Sequence, residues 1–79
     1  MTDAEILSAI LKVAREELEW QGEVTPEMRL VEDLRLDSLA LLTLAVAIED
    51  RFHIRLDDVE SELETVGDLV AAIRSRHAG

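Results

Sequence analysis

The stretch "LDSLALLTLAVAIEDRF", residues 36–52, is apolar at almost every position from Leu39 to Ile48, and Thr43 is the one polar residue between Ser38 and Glu49. Asp37, just ahead of that run, is a helix N-cap: its carboxylate can accept a backbone N–H that the first turn leaves unpaired. The pattern predicts a helix from Ser38 to about Phe52. A surface helix of a small bundle needs a single apolar stripe toward the core. This one is apolar nearly all round, so it must face something besides the core. We assign Leu44, Ala45 and Ile48 to the core. Leu39, Leu42 and Val46, at i, i+3 and i+7, form a different stripe that starts beside Ser38. Apolar stripes left in solvent mark contact sites, and we expect partners to meet this one, with Glu49 and Asp50 at its rim.

Upstream, Thr2 and Glu5 make a capping box, in which each side chain satisfies the other's free backbone N–H. Ile6, Ala9, Ile10, Val13, Ala14 and Leu18 then recur at three- and four-residue spacing. They predict an amphipathic helix running to about Leu18. From Glu19 to Asp37 the periodicity lapses. Gly22 interrupts, Thr25-Pro26 can start one short turn, and Leu30, Val31, Leu34 and Leu36 need burial. A connection of this length in a compact domain points to a functional loop. Downstream, Asp57-Asp58 can open a short helical turn with Val59 and Leu63 as its contacts. Thr65 and Asp68 form a second capping box, followed by Val66, Leu69, Val70 and Ile73 on one face. Arg74 and Arg76 fall in the last turn, where cations suit the helix dipole. The expected fold is all-α, a small four-helix bundle of three main helices and one short helix, with a long loop between helices one and two. Ile10, Leu44, Ile48 and Ile73 should meet in its core.

Composition narrows the function. The 79 residues fit one domain, 1–79. Eighteen acids against eight bases give a net charge of −10, which repels phosphate backbones and anionic lipid surfaces, so neither nucleic acid nor membrane is an expected partner. A basic protein surface would be attracted, or the acidity serves solubility alone. No cysteine is present, and His53 and His77 are too few and too far apart for a zinc site. The acids of Asp57 to Glu64 lack the alternation and central Gly of a calcium loop, so no metal is expected. There is no apolar span or signal-like start, and the expectation is a cytoplasmic monomer.

Ser38 has three readings. A hydroxyl at a helix start can be a cap or first-turn residue and nothing more. A nucleophile needs a base in hydrogen-bond reach, but His53 lies at the far end of the same helix, roughly 20 Å away. His77 stands near a chain end, and the G-x-S-x-G elbow is missing. Hydrolase chemistry is thereby set aside. The third reading is covalent attachment: a phosphodiester on the serine oxygen would lie where free N–H groups and the helix dipole favour negative charge.

The longer pattern "EDLRLDSLALLTLAVAIEDRFHIRL", residues 32–56, in a short acidic chain resembles the acyl carrier proteins, and the resemblance covers essentially the whole chain. Asp-Ser-Leu opens the second helix, with Leu34 before it and Phe52 and Leu56 after it at matching spacing. The resemblance implies a non-enzymatic carrier in which Ser38 bears a 4′-phosphopantetheine arm, whose thiol holds acyl cargo as a thioester. It implies a phosphopantetheinyl transferase as modifying partner, and acyl-transferring, ligase or ketosynthase-type enzymes of fatty-acid, polyketide or related synthesis as clients. Asp37 would help present the serine to the modifying enzyme. The pattern departs from the family in two places. Arg35 and Leu36 stand where a Gly is usual. Ala40 and Thr43 occupy exposed positions on the second helix that usually hold acids. Asp37, where peptidyl carriers tend to show His, favours the acyl class. Two alternatives stay open: an aminoacyl or peptidyl carrier, for instance of D-alanine, and an unmodified helical interaction module.

Overall fold

The computed structural model describes residues 2–56 and 63–77. They form three helices, α1 (Asp3–Glu17), α2 (Ser38–Phe52) and α3 (Val66–His77). The short helix expected from Asp57 lies largely outside the described residues.

Each helix starts where its cap residues dictate. At α1, Glu5 N donates to Thr2 Oγ1 (3.2 Å) while Thr2 N donates to Glu5 Oε1 (3.1 Å). At α3, Asp68 N donates to Thr65 Oγ1, and Asp68 Oδ2 accepts from the N–H groups of Glu64 and Thr65. These bonds favour the ionised carboxylates. The Thr2 backbone holds Glu5 below its ordinary pKa, and the Glu64 and Thr65 backbones do the same for Asp68. α2 ends at His53, which takes a left-handed conformation (φ 57°, ψ 49°), with the N–H groups of His53 and Ile54 both reaching Glu49 O. That stop is usually made by glycine, which has no Cβ to clash.

The three helices bury one core. Ile6 and Ile10 of α1, Leu44 and Ile48 of α2, and Leu69 and Ile73 of α3 are almost fully buried, with Leu30 of the connection among them. The expected quartet Ile10, Leu44, Ile48 and Ile73 does meet there. Each such side chain contributes about 1.5–3 kcal/mol relative to exposure.

Residues 19–37 cross the bundle as turns. Met28 N bonds Thr25 O to close the turn that Thr25-Pro26 begins. The segment is then stitched to the start of α3: Leu30 N bonds Glu64 O, Val66 N bonds Met28 O, and Gly67 N bonds Pro26 O, each at 2.9 Å. A Cβ at Gly67 would come within 3.1 Å of Pro26 O, a tight contact that a larger residue could make only if the Pro26 backbone shifted by a few tenths of an ångström. Leu30, Leu34 and Leu36 are buried as expected, but Val31 is 57% exposed. The N–H groups of Asp33 and Leu34 both reach Arg29 O, winding the chain into a tight turn. Leu30 and Leu34, four apart, share its inner side and Val31 falls outside.

Candidate functional site

Ser38 is the first residue of α2, and it is exposed. Asp37 is the cap: its Oδ1 accepts from Ala40 N at 2.8 Å, and its carbonyl accepts from Leu41 N at 2.8 Å. Capping therefore falls to Asp37, and the Ser38 hydroxyl has no hydrogen-bond partner among the described residues. The first-turn N–H groups of Ser38 and Leu39 precede the first helical bond and point outward along the axis. An exposed hydroxyl beside unpaired amides at the positive end of a helix suits a phosphodiester. His53 sits at the opposite end of the fifteen-residue helix, roughly 20 Å from the serine and out of its reach.

From Ser38 the exposed stripe runs down α2. Leu39 is 72% exposed, and Leu42 and Val46 are each 52% exposed, whereas Leu41, Leu44, Ala45, Ile48 and Phe52 are buried. The core and solvent faces thus divide as the spacing predicts. Leu42, Val46 and Ala47 floor a shallow cleft whose edges include Asp50 of α2 and Glu17 of α1. Glu17 is a rim acid that sequence reasoning missed. It belongs to another helix, and no pattern along the chain places it beside Val46.

Two expected positions differ. Glu49 is half-buried, and its Oε2 accepts from Leu56 N at 2.6 Å. That carboxylate holds down the chain leaving α2, seven residues on, instead of lining the stripe; Asp50 remains exposed. Ala40 and Thr43 are half-buried, not open. Ala40 leans toward α1, and the Thr43 hydroxyl donates to Leu39 O at 2.9 Å within its own helix. Arg35, three residues ahead of the serine, is exposed and holds a left-handed backbone (φ 57°). That conformation explains why glycine suits this place in the resembling pattern. Among the described residues there is no cluster of metal-ligating side chains, and no helix is long and apolar enough to cross a membrane.

The fold is small and all-helical, with an exposed serine at the head of its second helix. The family model described as "Phosphopantetheine attachment site" matches residues 4–73, and the chain belongs to that family. The family's prosthetic group is a covalent 4′-phosphopantetheine. The meromycolate extension acyl carrier protein of Mycobacterium tuberculosis is 37% identical over 76 residues, covering 94% of this chain and 66% of that relative, just under two thirds of its length. The acyl carrier protein of Borreliella burgdorferi is 37% identical over 78 residues, 96% of this chain and 98% of that one. A solved structure of a proposed acyl carrier protein from Mycobacterium tuberculosis superposes with a TM-score of 0.80 at 30% identity, covering 89% of this chain and 96% of that one.

Proposed function

We propose that the chain is a non-catalytic acyl carrier in which Ser38 bears the 4′-phosphopantetheine arm. The carrying observation is the exposed, uncommitted Ser38 hydroxyl at the start of α2, in a chain of the phosphopantetheine family. When bound, the arm supplies a thiol that holds acyl groups as thioesters, which answers the absence of cysteine from the chain. The protein's own residues present the arm. Asp37 fixes the helix start, and the Ser38 and Leu39 amides face the phosphate. Leu39, Leu42 and Val46, with Asp50 at their edge, meet a phosphopantetheinyl transferase and then acyl-transferring, ligase or ketosynthase-type enzymes. Glu49 supports this surface through Leu56 more than it touches partners. The same reading takes residues 1–79 as one cytoplasmic carrier domain, a four-helix bundle whose short helix follows Asp57 and whose long loop joins its first two helices. Asp37 in place of His, and relatives that are acyl carriers, favour acyl over peptidyl cargo.

The test is incubation with coenzyme A and a phosphopantetheinyl transferase, followed by intact-mass and fragment analysis. One phosphopantetheinyl adduct, mapped to Ser38, is expected. An adduct on another residue, or none with an active transferase, would leave the unmodified interaction module as the better account.

A further inference from the structure

Between Leu30 and Asp50 the chain carries one base, Arg35, three residues ahead of Ser38. Its sequence neighbours are acids, yet each of their carboxylates is engaged elsewhere. Glu32 pairs with Arg29 Nη1 at 3.3 Å, Asp33 Oδ2 accepts from Arg29 N at 2.7 Å, and Asp37 Oδ1 accepts from Ala40 N at 2.8 Å. The Arg35 guanidinium forms no ion pair among the described residues. Arg35 is exposed, and it shares the wall of a cavity of about 160 Å³ with Leu36 and with Ala40 of the first turn of α2. It therefore lies beside the turn that Ser38 opens. Three residues of chain span at most about 11 Å, and the long arginine stem can close the remaining distance to a group held on the serine. The left-handed backbone of Arg35 is one that glycine takes without strain. Glu19 and His53 share that conformation, but only Arg35 stands next to the candidate attachment point.

We infer that Arg35 is a positioning residue for the arm: its guanidinium pairs with the phosphodiester on Ser38 and holds the root of the arm against the start of α2. The inference rests on the carrier reading and adds a residue to its site. A phosphodiester keeps one negative charge, and on Ser38 it would stand beside the Asp37 carboxylate, which repels it. Arg35 offsets that repulsion, and the planar fork of a guanidinium can bond two phosphate oxygens at once. An ammonium would bring the charge without the fork. Because the pair stands in water, it is modest in strength and screened by salt.

The test compares the natural protein with Arg35→Gln, Arg35→Lys and Arg51→Gln, each carrying the arm as confirmed by intact mass and each checked for helicity by circular dichroism. Nuclear magnetic resonance reads the pair from both sides. In the natural protein the Arg35 Nε–H signal should move when the arm is added. The phosphorus signal of the arm should shift in Arg35→Gln and return part of the way in Arg35→Lys. It should stay in place in Arg51→Gln, whose cation belongs to the last turn of α2. At about 1 M salt, where the screening length falls to about 3 Å, the natural and glutamine signals should coincide. Should Arg35→Gln not fold, the movement of the Nε–H signal on loading decides. An Nε–H signal indifferent to the arm, or low-salt phosphorus signals alike in the natural and glutamine proteins, would overturn the inference and leave the carrier reading in place. A protein that accepts no arm at all would overturn both.

Discussion

α1 and α2 are each fifteen residues long and pack against one another, but their outer faces are opposites. The outer face of α1 is Ser8, Lys12, Arg15 and Glu16, all exposed, as a helix needing only one buried stripe should be. That of α2 is Leu39, Leu42 and Val46, also exposed. Both helices fill the same core, so core packing cannot account for the second pattern. Apolar side chains left in water gain nothing from folding, and they raise the risk of association. The contrast leaves the apolar outer face of α2 unexplained by core packing, and the carrier role proposed for Ser38 at its head supplies a reason for it.

The largest effect separates the two faces of α2. Ile48→Ala should lose about 2–5 kcal/mol through the cavity it leaves, a large part of the roughly 5–15 kcal/mol available to a small domain. Leu42→Ala should stay within about 0.5 kcal/mol, as surface changes do. Urea melts of both variants check this, and equal losses would merge the two faces.

Next come the helix starts. Asp37→Ala removes the bond to Ala40 N and should cost about 1 kcal/mol. Ser38→Ala removes no side-chain hydrogen bond among the described residues, so it should leave the melt within a few tenths of a kcal/mol while eliminating the phosphopantetheinyl adduct. A destabilised Ser38→Ala would return the serine to a capping role.

Strain at the site predicts a gain. Arg35→Gly places glycine in a left-handed position that disfavours side chains by about 1 kcal/mol. Thermal stability should rise unless the arginine stem contributes packing of similar size along the cavity mouth. An unchanged melting temperature would report that balance.

The smallest effect is in acid. Backbone bonds depress the Asp68 pKa from its ordinary 3.8 in the folded state. Its contribution is therefore present above the unfolded value and lost as pH falls through the lower folded value. Asp68→Asn should flatten the loss of stability below about pH 4, and because the group is exposed the change is slight. Melts taken from pH 6 to pH 2 would show it, whereas parallel curves would mean that Asp68 has no part in acid unfolding.

All three described helices were legible in the sequence because each begins with a local signal, Thr2 with Glu5, Asp37, or Thr65 with Asp68, and continues with a period of about 3.6. The two faces of α2 were legible for the same reason, since side-chain direction on a helix follows from spacing alone. Val31 was not, because in a turn the side that faces inward depends on bonds such as Leu34 N to Arg29 O. Glu49 and Glu17 were misplaced or missed because their surroundings come from other segments, Leu56 in one case and α2 in the other. The cavity beside Ser38 likewise joins residues from Ile10 to Leu44 and leaves no periodic trace.

The central claim, that α2 keeps an apolar face in order to serve partners, meets its most direct test in affinity. The modified protein is titrated against a ketosynthase or ligase partner across a salt series, with Leu42→Asp alongside. Apolar contact is barely screened by salt, whereas exposed charge pairs are. Affinity should therefore fall only shallowly with salt, and Leu42→Asp should weaken binding at every concentration. A steep fall with salt, together with a Leu42→Asp variant that binds normally, would contradict the account and move recognition to the acids between Asp57 and Glu64.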